Sequence, residues 1–287
     1  MTATAAPPQV THDPRQDDGA LGRGEASVGR APDASGDVLI RCRSVARRYR
    51  STNGALHEAL RAFTLDICQG ELLCLLGPSG CGKTTVLNLL AGFTGPTSGT
   101  ITIGDRVIDG PSTDRGVVFQ DYSLFAWLSV ADNVAFGLRM AGVSKAKRRS
   151  RALELLAQVG MQDFADKFPF ELSGGMKQRV AIARSLATNP QVLLMDEPFA
   201  ALDAHTRAGL HRLLLDIQQS APKTIVFVTH NIGEAIVLAD RVAVMTAGPG
   251  RLDQVLAVDI PRPRARTSAA FNQLYEELEA RVGTAAD

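Results

Sequence analysis

A chain of 287 residues, 45% hydrophobic and 21% charged, is long enough for one large or two modest domains around a substantial core. Lys and Arg number 31 against 30 Asp and Glu, and a net charge of +1 leaves no global field to draw the protein to nucleic acid or anionic lipid. The four cysteines, Cys42, Cys68, Cys74 and Cys81, form no C-x-x-C pair and have no histidine cluster beside them. They read as free thiols of a reducing compartment rather than as a disulfide framework or zinc site, with Cys81 as either a reactive thiol or a small filler.

In chain order, residues 1–36 are rich in Ala, Pro, Gly, Asp and Arg, lack a basic-then-apolar signal segment, and read as a disordered leader. VLIRCRSV from Val38 alternates like a strand, and RSTNGALHEAL after it reads as an expanded turn. Leu72 to Leu76, LLCLL, is apolar throughout, the pattern of a strand buried on both faces of a parallel sheet. A helix follows from Lys83 to Ala91, then strands at Thr100–Gly104 and Val117–Gln120. Between about Val130 and Ala187 the periodicity is helical, and its densest charge run, KAKRRSR from Lys145, reads as the wet face of one helix. Apolar strands return at Val192–Met195 and Thr224–Val228. The tail from 253 to 287 carries a helical pattern in AFNQLYEELEARV but is too short for a domain. No run of about 18 apolar residues occurs, so the chain is not expected to cross a membrane itself. The order predicts an α/β core interrupted by a helical insert.

Between the LLCLL strand and its helix lies Gly77-Pro78-Ser79-Gly80-Cys81-Gly82-Lys83-Thr84, which fits G-x-x-x-x-G-K-[ST]. Glycines let successive N–H groups turn toward one anion, and the helix N-terminus adds partial positive charge there. Lys83 supplies a point charge for the β- and γ-phosphates, Thr84 a hydroxyl for Mg²⁺, and Thr85 reaches the α-phosphate. LLMDE ends a second apolar strand in two carboxylates. Asp196 is expected to orient Mg²⁺ and Glu197 to polarise the attacking water.

FELSGGMKQRV, residues 170 to 180, is a second glycine-rich turn before a helix, with no lysine to hold a phosphate of its own. GPSGCGKTT, LSGGMKQR, LLMDEP, AALD and the Thr229-His230 pair, in that order, resemble the ATP-binding cassette (ABC) ATPases over about Val38 to Leu252. The resemblance implies an α/β P-loop NTPase fold, the ABC-type nucleotide-binding domain, with an antiparallel β subdomain and a helical subdomain. The ATPase domain would span 37–252 and the helical subdomain about 121–187.

It also implies that Ser173, Gly174 and Gly175 bind the γ-phosphate of ATP held by a second copy of the chain, giving a head-to-tail homodimer. Gln120 takes the place of a glutamine that senses Mg²⁺ and the attacking water. His230 takes that of a switch histidine assisting Glu197, Asp203 that of an aspartate at the dimer seam, and Tyr49 that of the aromatic stacked on adenine. Departures from the family pattern are Met176, Ala201 and Asn231, and none removes a reacting group.

DGPSTDRGVVFQ, Trp127, VADNVAFGL and the Gly248-Pro249-Gly250-Arg251 turn are similar to ATPases of the taurine, alkanesulfonate and nitrate import group. That likeness implies a peripheral subunit on the cytoplasmic face of the bacterial inner membrane. It would work under two integral membrane permease subunits, with a periplasmic or lipid-anchored substrate-binding protein and no nucleic acid. DYSLFAWL after Gln120 would help line the groove for the permease. A thiamine-precursor importer, a soluble cassette ATPase acting on DNA or ribosomes, and a nucleotide-binding module without turnover are the competing readings.

Overall fold

The computed structural model describes residues 37–50 and 54–284; the leader expected at 1–36 lies outside the described residues. The chain opens with two long strands, β1 (Val38–Arg50) and β2 (Leu56–Cys68), and then β3 (Leu72–Leu76) leads through the glycine loop into α1 (Lys83–Ala91). β4 (Ser98–Ile103), β5 (Arg106–Val107) and β6 (Arg115–Val118) precede three helices, α2 (Val130–Met140), α3 (Lys145–Gln158) and α4 (Gly174–Leu186). β7 (Val192–Asp196), α5 (Ala204–Ser220), β8 (Thr224–Thr229), α6 (Ile232–Leu238), β9 (Arg241–Thr246), β10 (Arg251–Ala257) and α7 (Ala269–Thr284) complete it.

Two sheets form. One is antiparallel, in the order β2-β1-β4-β5. The other runs β10-β9-β3-β8-β7-β6 and is parallel except at its β10 edge. β3 is buried at all five positions and divides its side chains by the two-residue period of a strand. Leu73 and Leu75 join the core toward the antiparallel sheet and α1, while Leu72, Cys74 and Leu76 join the core on the other face. The apolar LLCLL run thus follows from a strand with no wet face. All four cysteines are buried, and burial raises the pKa of Cys42 (up to about 12), Cys74 and Cys81, so these three thiols stay protonated.

Two sequence expectations give way to the structure. RSTNGALHEAL is not simply a turn: Arg50 pairs with Leu56 and Tyr49 with His57, so the hairpin strands extend through most of it. From Gly54 to Ala59 its described residues are exposed or half-buried, so they carry little apolar alternation to read; pairing with β1 sets the conformation of Leu56 to Leu60. Gln120 does not close a strand. β6 ends at Val118, and Tyr122 N–H donates to the Phe119 carbonyl at 3.3 Å to turn the chain.

KAKRRSR lies on α3, whose buried residues are Ala152, Leu155 and Leu156, so the charges do occupy the wet face. β10 runs past Leu252 to Ala257, and the tail beyond it is fastened to the core. Arg264 donates to the carbonyls of Ile236 and Ala239 (2.6 Å each), Ile260 (2.7 Å) and Val258 (3.0 Å). Burial, with Arg262 adding to it, pushes that guanidinium down to about 10, still charged at neutral pH, where it suits the carbonyl end of α6. Phe271 and Leu278 of α7 are buried in the same core. Among the described residues no helix is long and apolar enough to cross a membrane.

Candidate active site

β3, β8 and β7 are adjacent and parallel, so their C-terminal ends open onto one edge of the sheet, where α/β folds place ligands. The glycine loop leaves β3 there, Asp196 ends β7, and His230 follows β8 directly. Gly82, just before α1, has φ 92°, and a Cβ on it would lie 2.8 Å from the Ala59 carbonyl. Only glycine meets both demands at that position. Lys83 is 5% exposed, and its ammonium donates to the carbonyls of Gly77 (2.8 Å) and Pro78 (2.9 Å), folding back along the loop it follows. Cys81 is fully buried and burial raises its pKa, which favours the filler reading of that thiol.

Thr84 Oγ1 donates to Asp196 Oδ1 at 3.2 Å. Burial, and then the negative charge of Glu197, push Asp196 above the ordinary carboxylate range, with the Thr84 hydrogen bond opposing them. Glu197 has φ 41°, a left-handed conformation that costs a non-glycine residue about 1–3 kcal/mol. Its N–H donates to the Val228 carbonyl at 3.0 Å, and its Oε2 lies 3.0 Å from His230 Nδ1. The tight turn after β7 aims one carboxylate at Thr84 in the first turn of α1 and the next at the histidine after β8.

Lys83, Thr84 and Glu197 border a cleft of about 360 Å³, within the usual range for small-ligand sites, and Asp196 and His230 reach it through their bonds to Thr84 and Glu197. It is lined by Tyr49, His57 and Ala59 of the hairpin, by Ser79, Gly80, Gly82, Lys83, Thr84 and Thr85 of the glycine loop and helix start, and by Glu197. Tyr49 is half-buried, with the Arg47 guanidinium 4.7 Å from its ring centre. His57 and Ala59 were not evident from the sequence, because their place beside Tyr49 depends on the hairpin register. Gly250 was also missed as a packing residue: its N–H donates to Ala59 O at 3.2 Å, and a Cβ there would run into the Cys81 carbonyl. The GPGR turn therefore backs the phosphate loop.

Ser173, Gly174, Gly175, Asp203 and Gln120 are not among the residues that line this cleft. Ser173 is exposed and caps α4, accepting the Met176 N–H at 3.4 Å. Gly175 lies so close to Thr206 of α5 that a Cβ would strike its methyl group. Asp203 caps α5, accepting N–H groups from His205 (3.1 Å) and Thr206 (3.0 Å), and those bonds hold its carboxyl below the usual range. Gln120 is exposed in its turn. The segment after it is strapped to α4 by Arg184, which donates to the carbonyls of Tyr122 (3.1 Å) and Ser123 (2.6 Å).

A second concavity, mostly apolar, lies between Phe119, Phe125, Phe136 and Arg184. Trp127, whose ring centre is 5.4 Å from that of Phe125, stands 75% exposed at that aromatic cluster.

A mononucleotide-sized cleft floored by a P-loop, with paired carboxylates and a histidine at the ends of neighbouring strands, defines a P-loop nucleotide hydrolase. The family model described as ABC transporter matches residues 60–200. An uncharacterized ABC transporter ATP-binding protein of Methanocaldococcus jannaschii is 49% identical over 79% of this chain and 85% of its own length. A taurine import ATP-binding protein of Roseobacter denitrificans is likewise 49% identical, over 82% of this chain and 90% of its own. The dimeric structure of a post-hydrolysis state of an ATP-binding cassette bound to ADP and Pi superposes with a TM-score of 0.69, at 32% identity. It matches 78% of this chain and 100% of that one. This chain belongs to the ABC transporter family, and it is an ATPase.

Proposed function

We propose that this ATPase drives import of a small sulfonate, taurine or another alkanesulfonate, with nitrate as the competing cargo. The observation that carries the hydrolytic part is the convergence of Lys83, Thr84, Asp196, Glu197 and His230 at one sheet edge, with Thr84–Asp196 at 3.2 Å and Glu197–His230 at 3.0 Å. The cargo assignment rests on likeness to the taurine import relative.

In this reading Tyr49 stacks on the adenine of ATP. The N–H groups of Gly77, Ser79, Gly80, Cys81, Gly82, Thr84 and Thr85 cradle the phosphates, Pro78 shapes the loop without donating, and Lys83 turns from its carbonyls to the β- and γ-phosphates. Thr84 and Asp196 are hard oxygen donors that suit Mg²⁺, which takes one or two protein oxygens besides phosphate oxygens and water, with Gln120 the third candidate. Bound there, the ion neutralises charge on the β- and γ-phosphates. Glu197 takes the proton of the attacking water, and His230 holds the Glu197 carboxylate in place and contacts the γ-phosphate.

Ser173, Gly174 and Gly175 act on the nucleotide of a second copy, and Asp203 lies at the seam between the two. Ser173 and Asp203 are exposed, so a second copy can reach them. The ATPase domain of this reading spans 37–252, with the helical subdomain at about 121–187 and the tail at 253–287. The aromatic concavity beside Trp127 receives one of two integral membrane permease subunits. The dimer works on the cytoplasmic face of the bacterial inner membrane, with a periplasmic or lipid-anchored binding protein delivering cargo.

The test is Glu197→Gln. It should lower kcat by about 10²–10⁴-fold and leave ATP bound in a closed dimer, measured by phosphate release and gel filtration with ATP. Hydrolysis at the wild-type rate would remove Glu197 from the chemistry.

A further inference from the structure

We propose that Glu234 is a positioning residue that joins the His230 turn to α5 and the segment around Asp203. The inference rests on His230 acting in hydrolysis and names what sets its place. His230 has a side chain 55% exposed, and its bond to Glu197 is made by the ring alone. Its backbone position is therefore fixed by its neighbours.

Both neighbours are tied to Glu234, which is 4% exposed. The Thr229 hydroxyl donates to Glu234 Oε2 at 2.7 Å and accepts the Asn231 N–H at 3.0 Å. Asn231 Oδ1 accepts the Glu234 N–H at 3.0 Å. The residues before and after the histidine thus form a closed set of hydrogen bonds with one buried glutamate, Thr229 to its carboxylate and Asn231 to its backbone N–H.

The other oxygen of Glu234 faces α5. Arg207 Nε and His211 Nε2 each lie 3.5 Å from Oε1. Burial pushes this carboxyl up, but the nearby His211 and the Thr229 hydrogen bond outweigh it, leaving it below its ordinary range and ionised at neutral pH. Arg207 also donates through Nη2 to the Leu202 carbonyl at 2.7 Å, and its N–H bonds the Asp203 carbonyl at 2.9 Å. A movement of the Leu202–Asp203 segment would reach Glu234 through one guanidinium and His230 through one hydroxyl. A buried carboxylate is expensive to desolvate, and three partners on two elements make it a specific joint rather than a filler.

Glu234→Gln keeps the shape and removes the charge. In the full-length chain it should lower kcat for ATP about tenfold or more while KM stays within about twofold. Arg207→Gln should do the same, and the double variant should be no slower than the worse single one, because both break one path. In histidine-labelled protein, Asp203→Ala should shift the His230 ring resonances, and in Glu234→Gln it should not. A merely structural glutamate would lower Tm and leave kcat of the folded protein, the coupling and the resonance shift intact. That result overturns the inference. Should Glu234→Gln not fold, Arg207→Gln carries the test alone: wild-type kcat there overturns it. His230→Ala separates the two readings. Wild-type hydrolysis in that variant removes the histidine's role itself, whereas an inactive His230→Ala beside a fully active Glu234→Gln removes only the joint.

Discussion

Glu197 keeps a φ of 41° although any glycine would hold it without strain. What glycine lacks is a carboxylate, and the strained backbone is what turns Glu197 toward His230 while Asp196 faces Thr84. Asp196 carries a related cost. Its pKa is raised by burial and by Glu197, so the folded state holds its proton more tightly than the unfolded chain. The sign follows: this group favours folding least above its folded pKa, and the penalty fades as pH falls through that value toward the unfolded one. Asp196→Asn should therefore raise Tm at pH 7 by a few degrees at most, gain less at lower pH, and abolish ATP hydrolysis. Calorimetry across pH beside an ATPase assay checks it; a fall in Tm at pH 7 would contradict the account. At this scale the sequence was most legible where chemistry sits in consecutive letters, as in GPSGCGKTT and LLMDE. His57 and Glu234 were not legible, because their partners, Tyr49 and His211, come from strand pairing and helix packing.

Among the elements, β3 could be read from its letters because both faces are buried, and LLCLL has no other use. The N-terminal half of β2 could not, since its largely exposed residues pair with β1 without an apolar stripe. The end of β6 fell two residues short of Gln120 because the turn at Phe119–Tyr122 takes over there. The tail looked like an appendage in the sequence, yet Arg264 grips the carbonyl end of α6, the helix that follows His230. Hydrogen bonds to a charged group are worth about 1.5–3 kcal/mol each at most, and they share one side chain. Arg264→Ala should destabilise the chain by about 2–4 kcal/mol in chemical denaturation. A loss under about 0.5 kcal/mol would mean that the tail does not hold α6.

For the molecule as a whole, the two glycine turns face different work. The P-loop floors a cleft, and the Ser173 turn packs on α5 away from that lining. The Phe119–Phe125–Phe136 concavity lies on the same segment that Arg184 straps to α4, the helix that Ser173 caps, so a permease seated there would press on Ser173 through one guanidinium. Trp127→Ala, at the exposed end of that cluster, should weaken copurification with the permease about tenfold or more; unchanged recovery would place the contact elsewhere.

The central claim, a catalytic site shared between two copies, is tested most directly by mixing two dead variants. Lys83→Ala loses the phosphate charge and Ser173→Arg blocks the turn that acts in trans, so each alone should be inactive. In an equal mixture half the dimers are mixed, and each of those has one of its two sites intact. ATPase activity should return to about a quarter of wild type. A mixture as inactive as its components would contradict the shared site.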